Sequence, residues 1–301
     1  MDDRPRVHLG PSGARPWLAE AIEAGGGRLV ELEDAEALVW ADPGRADELA
    51  ATLAAAPGVR WVQLPWAGIE PLVGLIDDDR TWTCGKGVYA EPVAEHALML
   101  ALAGMRGLAG YARARTWTGP QGRNLLGADV CILGGGGIAT SLLRLLEPFD
   151  AQVTVVRRTP SARHEAGLDR VDDALAAADL VVLALALTPQ TIGLIDARRL
   201  GLMRPHAWLV NVARGAHVVT DDLVAALRGG IIGGAALDVV DPEPLPEDHP
   251  LWTLPNVIVT PHVGNTPEMA VPLLAARVSE NVRRFAAGEP LIGLVDPAAG
   301  Y

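Results

Sequence analysis

Three short segments in the second half of the chain carry the residue types that acid–base chemistry on a small anion requires. They are Asn211-Val212-Ala213-Arg214-Gly215, Asp238-Val239-Val240-Asp241-Pro242-Glu243-Pro244 and Thr260-Pro261-His262-Val263-Gly264. Each polar group falls at or just after the end of an apolar run that reads as a β-strand. In open parallel sheets, the carboxyl ends of the strands are where ligands bind. An arginine there can grip a carboxylate with two parallel hydrogen bonds. A histidine can pass a proton near neutral pH, and a nearby glutamate fixes its tautomer and favours the imidazolium. Taken singly, each has a blander reading: Arg214 as a strand-end cap, Glu243 on a solvated proline-rich loop, His262 as a satisfied core histidine. The three together, behind a glycine loop in the same stretch of chain, point to catalysis. The other histidines (His8, His96, His164, His206, His217 and His249) show no metal-ligand spacing such as His-Glu-x-x-His, so no metal site is expected. A Gly-x-Ser-x-Gly elbow is absent, which leaves a serine hydrolase without support.

The glycine loop is Gly134-x-Gly136-x-x-Ala139, between an apolar run at 128–133 and a helical pattern of Ile138, Leu142, Leu145, Leu146 and Phe149. In that setting the first glycine permits a tight turn and the second lets backbone approach a pyrophosphate. The small third residue lets helix pack on strand. Nicotinamide choice is read at the end of the next strand, where an NAD enzyme carries an acid for the ribose 2′-OH. Here residues 152–156 run into Arg157-Arg158-Thr159, with no acid. The two arginines suit a 2′-phosphate, so NADP(H) is favoured and NAD(H) stays possible. A solvated basic turn is the alternative.

These residues need a scaffold, and the patterning supplies one. Strands are expected at 7–9, 28–32, 37–40 and 60–64, with helices at 15–24 and 46–56. A long helix at 92–113 bridges into a second domain. That domain has strands at 128–133, 152–156, 180–186, 208–212, 235–240 and 257–260, with a short helix at 172–178. Thr220-Asp221-Asp222 reads as the capped start of a helix to Arg228 closed by Gly229-Gly230, and a last helix covers 267–287. Strands that are apolar on both faces imply parallel sheets covered by helices on both sides. The chain has 301 residues, half of them apolar, with Lys+Arg 25 against Asp+Glu 37 and a net charge of −12. That balance argues against a nucleic-acid partner. Two cysteines exclude a disulfide framework and point to a reducing compartment. The longest apolar stretches, 96–105 and 179–187, fall well short of the ~20 residues that span a membrane. The start of the chain is polar, so a cytoplasmic protein with no membrane partner is expected.

With these residues in view, the chain resembles the D-isomer-specific 2-hydroxyacid dehydrogenases. The matching stretches are Leu64-Pro65-Trp66-Ala67-Gly68-Ile69, Val93-Ala94-Glu95-His96, residues 134–138, and the run from Asn211 through Glu243 to Gly264, including Pro244-Leu245-Pro246 and Pro250-Leu251-Trp252. Length and the arginine pair are similar to the NADP-dependent glyoxylate/hydroxypyruvate reductase branch. Ala186 departs from the pattern, which has proline before Leu187-Thr188-Pro189.

The resemblance implies an α/β protein of two domains, each a parallel sheet with helices on both faces. A Rossmann-type cofactor domain (93–274) is inserted in a flavodoxin-like substrate domain (1–92 with 275–301). It implies reduction of a small 2-oxo acid to a D-2-hydroxy acid in a cleft between the domains. Arg214 binds the acid and polarises its carbonyl, His262 donates the proton, and Glu243 holds and charges His262. Backbone N–H groups of Ala67 and Gly68 receive the carboxylate. Cofactor contacts are implied at Gly134, Gly136, Gly137 and Ile138, at Arg157, Arg158 and Thr159, and at Thr191, Ala213, Asp238 and Gly264. Asp238 is placed near the nicotinamide carboxamide. Trp66 and Tyr89 are read either as pocket walls or as core packing, with Lys86 adding charge at the mouth. A homodimer is implied as well. Two other readings share the fold: a formate dehydrogenase, which carries Gln where Glu243 stands, and a dinucleotide-sensing interaction protein resembling the C-terminal-binding co-repressors.

Overall fold

The computed structural model describes residues 4–162 and 164–296. They fall into two compact units, one of residues up to Tyr89 together with those from Thr266 on, the other from Ala90 to Asn265. The boundaries therefore lie at 89/90 and 265/266, where the sequence suggested 92/93 and 274/275. The reason is helical continuity. The helices Ala90–Met105 and Pro267–Ala287 are each unbroken, so each belongs whole to the unit whose core it packs on.

The first unit holds strands β1 (Arg6–Gly10), β2 (Arg28–Leu29), β3 (Ala37–Trp40), β4 (Trp61–Gln63) and β5 (Thr81–Thr83). All pair in parallel in the flavodoxin-like order β2-β1-β3-β4-β5. Helix α1 (Pro16–Ala24) starts on a proline whose fixed φ suits a first turn. It buries Leu18, Ala21 and Ile22 against Leu274, Val278 and Val282 of the Pro267–Ala287 helix and one sheet face. Helix α2 (Ala46–Ala55) buries Leu49 and Leu53 on the other face. Each such aliphatic side chain contributes about 1.5–3 kcal/mol. The buried Asn281 donates to Gln63 Oε1 at 2.8 Å and accepts from the Ile292 amide at 2.8 Å, tying the last helix to β4 and to the following segment. Strand β2 is shorter than the expected 28–32 because the chain turns into a single 3₁₀ turn at Leu32–Asp34. β5 and the 3₁₀ stretch Glu70–Leu75 have no counterpart in the sequence reading.

The second unit holds β6 (Asp129–Leu133), β7 (Gln152–Val156), β8 (Glu165–Ala166), β9 (Leu180–Leu183), β10 (Trp208–Asn211), β11 (Gly234–Leu237) and β12 (Val257–Val259). Every pairing is parallel, in the order β12-β11-β10-β9-β6-β7-β8. This is the doubly wound Rossmann arrangement with one added strand, and the winding reverses between β6 and β9. Helices α3 (Ala90–Met105) and α5 (Gly137–Leu146) cover one face through Ala97, Leu100, Ala101, Ala139 and Leu142. Helices α6 (Val171–Ala177), α7 (Ala197–Leu200) and α8 (Thr220–Arg228) cover the other.

Two expectations change here. The helix expected at 92–113 is two helices, α3 and α4 (Leu108–Arg113), because Gly107 turns left-handed at φ 66°. Thr220 does not cap α8. Val219 occupies that place, and the Thr220 hydroxyl instead donates to Asp241 O at 2.6 Å, linking the helix to the loop after β11. The last helix, α9 (Pro267–Ala287), matches its expected span. Among the described residues, no helix is long and apolar enough to cross a membrane.

The amino ends of β6, β9 and β10 meet in an ion network. Asp179 Oδ1 receives Arg204 Nη1 and His206 Nε2, both at 2.7 Å, and Arg204 also reaches Asp129 Oδ2 at 3.0 Å. Burial alone would raise the Asp179 carboxyl, but bonds from His206, the Asp129 amide and Arg204 outweigh it and hold the group at about 2.

Candidate active site

The glycine loop follows β6 at the point where the winding reverses. Gly134 adopts φ 115°, and a Cβ there would lie 2.2 Å from Ala184 O in the segment after β9, so no other residue fits. Gly136 has no atom within 4 Å of a built Cβ: the loop is open on that side. Ala139 is buried where α5 packs down on the sheet. Exposed backbone at Gly136 and Gly137, opening a ten-residue helix, makes a cradle that fits a pyrophosphate.

At the end of β7, Arg157 lies across the loop. A Cβ on Gly135 would be 2.7 Å from its Nε, and its Nη1 is ion-paired with Glu165 Oε1 at 2.8 Å. Glu165 Oε2 accepts from the amides of Ser161 and Ala162, at 2.5 and 3.1 Å. The guanidinium of Arg157 is therefore already held by a carboxylate, whereas Arg158 and Thr159 stand on the exposed surface. Glu165 was not among the residues singled out from sequence, since nothing at β7 signals a partner on β8.

Arg214 follows β10. The buried Asn211 pins its loop by donating to Arg214 O at 2.9 Å and accepting from the Ala213 amide at 3.1 Å. Arg214 Nη1 donates to Ala213 O at 2.7 Å. A Cβ on Gly215 would fall 1.9 Å from Val240 O, so glycine is required for the Arg214 loop to lie against the loop after β11.

The third group is the tightest. His262 Nδ1 lies 2.7 Å from Glu243 Oε1, and both side chains are about half exposed. His262 is left-handed, with φ 54°, and its amide donates to Asp238 O at 2.8 Å. The buried carboxylate of Asp238 accepts from Thr260 Oγ1 (2.5 Å), the Val263 amide (2.9 Å) and the Gly264 amide (2.9 Å). Burial pushes this carboxyl up, but hydrogen bonds from His96, Thr260, Val263 and Gly264 bring it down to about 2. A carboxylate offers about four acceptor positions, which these four donors match.

The remaining sequence-singled residues divide between the units. Thr191 fastens its own loop: its hydroxyl donates to Ala186 O at 2.9 Å and accepts from the Thr188 amide at 2.8 Å. Its carbonyl meets Nδ1 of the fully buried His217 at 3.0 Å, while Nε2 of that ring is 3.2 Å from Leu185 O. In the first unit, Ala67 and Gly68 stand in the loop after β4. Gly85 lets a second turn back onto that loop, since a Cβ there would be 3.2 Å from Ala67 N. Tyr89 donates to Pro65 O at 3.0 Å and its ring lies 6.1 Å from that of Trp66, so both aromatics brace this loop. Sequence reading passed over Asn211, His96 and His217 as functional candidates. The partners of His96 and His217 are far away in the chain, whereas the Asn211 side chain bonds within its own loop, where its role shows once the turn is formed.

An arginine, a glutamate–histidine pair and an open glycine cradle on one sheet edge can bind an anion beside a dinucleotide and move a proton. Comparison with known proteins shows the family. Residues 96–264 match the family described as D-isomer specific 2-hydroxyacid dehydrogenase, NAD binding domain. An uncharacterized protein from the proB 3′ region of Corynebacterium melassecola is 40% identical over 93% of this chain and 95% of its own length. Glyoxylate/hydroxypyruvate reductase A of Photorhabdus laumondii is 31% identical, over 88% of this chain and 87% of that protein. The crystal structure of a D-isomer specific 2-hydroxyacid dehydrogenase from Xanthobacter autotrophicus Py2, in complex with NADPH and MES, superposes with a TM-score of 0.85. It is 29% identical and covers 99% of this chain and 100% of its own.

Proposed function

The chain belongs to the D-isomer specific 2-hydroxyacid dehydrogenase family, and on that premise we propose that it reduces small 2-oxo acids of the glyoxylate and hydroxypyruvate kind to D-2-hydroxy acids, preferring NADP(H). The observation that carries this reading is the 2.7 Å contact between His262 Nδ1 and Glu243 Oε1, in the same unit as the glycine loop. Likeness to the Photorhabdus laumondii protein named glyoxylate/hydroxypyruvate reductase A, and to the Xanthobacter enzyme solved with NADPH, supports it.

When bound, the nicotinamide supplies a hydride to the carbonyl carbon. Backbone at Gly134, Gly136, Gly137 and Ile138 holds the pyrophosphate. Arg158 and Thr159 meet the 2′-phosphate, with Arg157 beside them on its Glu165 anchor. Thr191, Ala213, Asp238 and Gly264 border the nicotinamide end. Arg214 grips the substrate carboxylate and polarises the carbonyl, because a guanidinium fork matches two acceptors at once. His262 gives Nδ1–H to Glu243, which leaves Nε2–H as the proton delivered to the carbonyl oxygen. A homodimer in the cytoplasm completes this reading.

Steady-state assays with NADPH and NADH against a panel of 2-oxo acids test it. Turnover of glyoxylate or hydroxypyruvate, faster with NADPH, is expected. Tight NADPH binding without oxidation by any acid would replace it with the dinucleotide-sensing interaction protein.

A further inference from the structure

His96 stands on α3, and no step above uses it. Its side chain is only 13% exposed. Its Nε2 is 3.0 Å from Thr260 Oγ1 and 3.1 Å from Asp238 Oδ1, while its Cδ2 would be 3.6 Å from a Cβ on Gly264. The imidazole thus touches, from the helix side, the segments before, beneath and after His262.

What it touches is a clamp. Asp238 receives the amide of His262 on its backbone oxygen and the amides of Val263 and Gly264 on its carboxylate. Those three consecutive N–H groups can converge on one residue because His262 is left-handed, at φ 54°. A side chain with a Cβ disfavours that region and keeps it where the surroundings over-determine it. The carboxylate can hold the clamp only while its own orientation is set. The Thr260 hydroxyl, at 2.5 Å, and His96 set it. Of these two, only His96 comes from outside the β11–β12 region, so it references the turn to α3.

We propose that His96 is a positioning residue for proton transfer: it orients Asp238 and Thr260, and through the Asp238 clamp keeps His262 left-handed with Nδ1 on Glu243. The proton-transfer half of this inference rests on the proposed function; the geometric half does not.

The test compares His96→Leu, which keeps bulk without a donor, with His96→Gln, whose amide N–H₂ can donate from the Nε2 position. Thermal melting checks that each is folded. The first readout needs no turnover: the ¹⁵N shifts of the His262 ring, measured through its carbon-bound protons where the ring is neutral. Wild type and His96→Gln should show the Nδ1–H tautomer, and His96→Leu should shift towards Nε2–H. Identical His262 shifts in His96→Leu and wild type overturn the proposal, as does an Nε2–H tautomer in wild type. The second readout is kinetic. His96→Leu should lower kcat roughly tenfold or more, a part of the ~10²–10⁴ that a placed acid supplies. KM for the 2-oxo acid should hold, because Arg214 is untouched, and the solvent deuterium effect on kcat should grow. His96→Gln should recover most of the rate. An unchanged kcat in His96→Leu, or equal impairment in both variants, overturns it. Should His96→Leu fail to fold, His96→Phe, which keeps a ring without a donor, should move both readouts the same way; if it does not, the proposal falls. A wild type that reduces no 2-oxo acid sinks the functional reading, while the ring shifts still decide the clamp.

Discussion

In the proposed reaction, Arg214 is the residue whose chemistry would separate binding from turnover. A guanidinium carries five N–H donors in a rigid fork, of which Arg214 directs one, on Nη1, to Ala213 O. Asn211 holds the Arg214 loop from both sides, and Gly215 lets that loop lie against the Val240 carbonyl. The direction of the fork is thus built into the backbone. Lysine at this position keeps the charge but loses the planar fork. Arg214→Lys should therefore raise KM and lower kcat together, because a contact that tightens towards the transition state is weakened along with ground-state binding. NADPH affinity, measured by fluorescence without substrate, should change little. A variant with unaltered kcat/KM for its best 2-oxo acid would make Arg214 a structural residue.

At the scale of elements, the two ends of the seven-stranded sheet do different work. At the carboxyl end, two glycines of one loop predict opposite failures. Gly134→Ala puts a Cβ 2.2 Å from Ala184 O at a φ of 115°, so the β6–α5 turn must deform and the melting temperature should drop by several degrees. Gly136→Ala meets nothing in the protein at an ordinary φ of −89°, so the melting temperature should hold while NADPH binds less tightly. Equal melting losses in both would refute the cradle. At the amino end, Asp179 holds Arg204 and His206. Held at about 2, below the ordinary aspartate range, this carboxyl contributes stabilisation that is complete above about pH 4 and is lost as pH falls towards 2. Asp179→Asn should cost about 2 kcal/mol at pH 7, and the gap to the parent should close between about pH 4 and pH 2 in urea titrations. A gap independent of pH would mean that packing, not charge, links these strands. The long apolar strands, the glycine loop and the Arg214, Glu243 and His262 segments were legible because each is written in consecutive residues. Strand β5 was not, since its Trp82 stands between two threonines behind the charged run Asp77–Arg80, nor was the break at Gly107, whose flanks both read as helix. The bonds of His96 to Thr260, of Arg157 to Glu165 and of Thr220 to Asp241 join distant strands or loops, and such pairings exist only once the sheet order is set.

The whole molecule carries a net charge of −12, a field that repels an anionic dinucleotide and an anionic acid alike. Binding must then come from local cations and helix ends, and a 2′-phosphate adds further negative charge for them to hold. Any ligand that binds only the folded state stabilises by RT ln(1 + [L]/Kd), so the two nucleotides at equal concentration measure their own affinity ratio through stability. A tenfold preference for NADPH corresponds to about 1.4 kcal/mol, or roughly 2–4 °C of additional melting shift for a chain of this size. Arg158 is exposed on the segment after β7, whereas Arg157 is packed on Gly135 and paired with Glu165. Replacing Arg157 should therefore lower the ligand-free melting temperature, and the nucleotide shifts of each variant are taken against its own ligand-free scan. Arg158→Ala is expected to bring the NADPH shift down to the NADH shift, with the NADH shift itself unchanged, in a thermal scan at matched nucleotide concentrations. If instead both shifts fall together, Arg158 serves the pyrophosphate or the general field. If neither falls, the preference for a phosphorylated ribose lies elsewhere on the glycine loop's edge of the sheet.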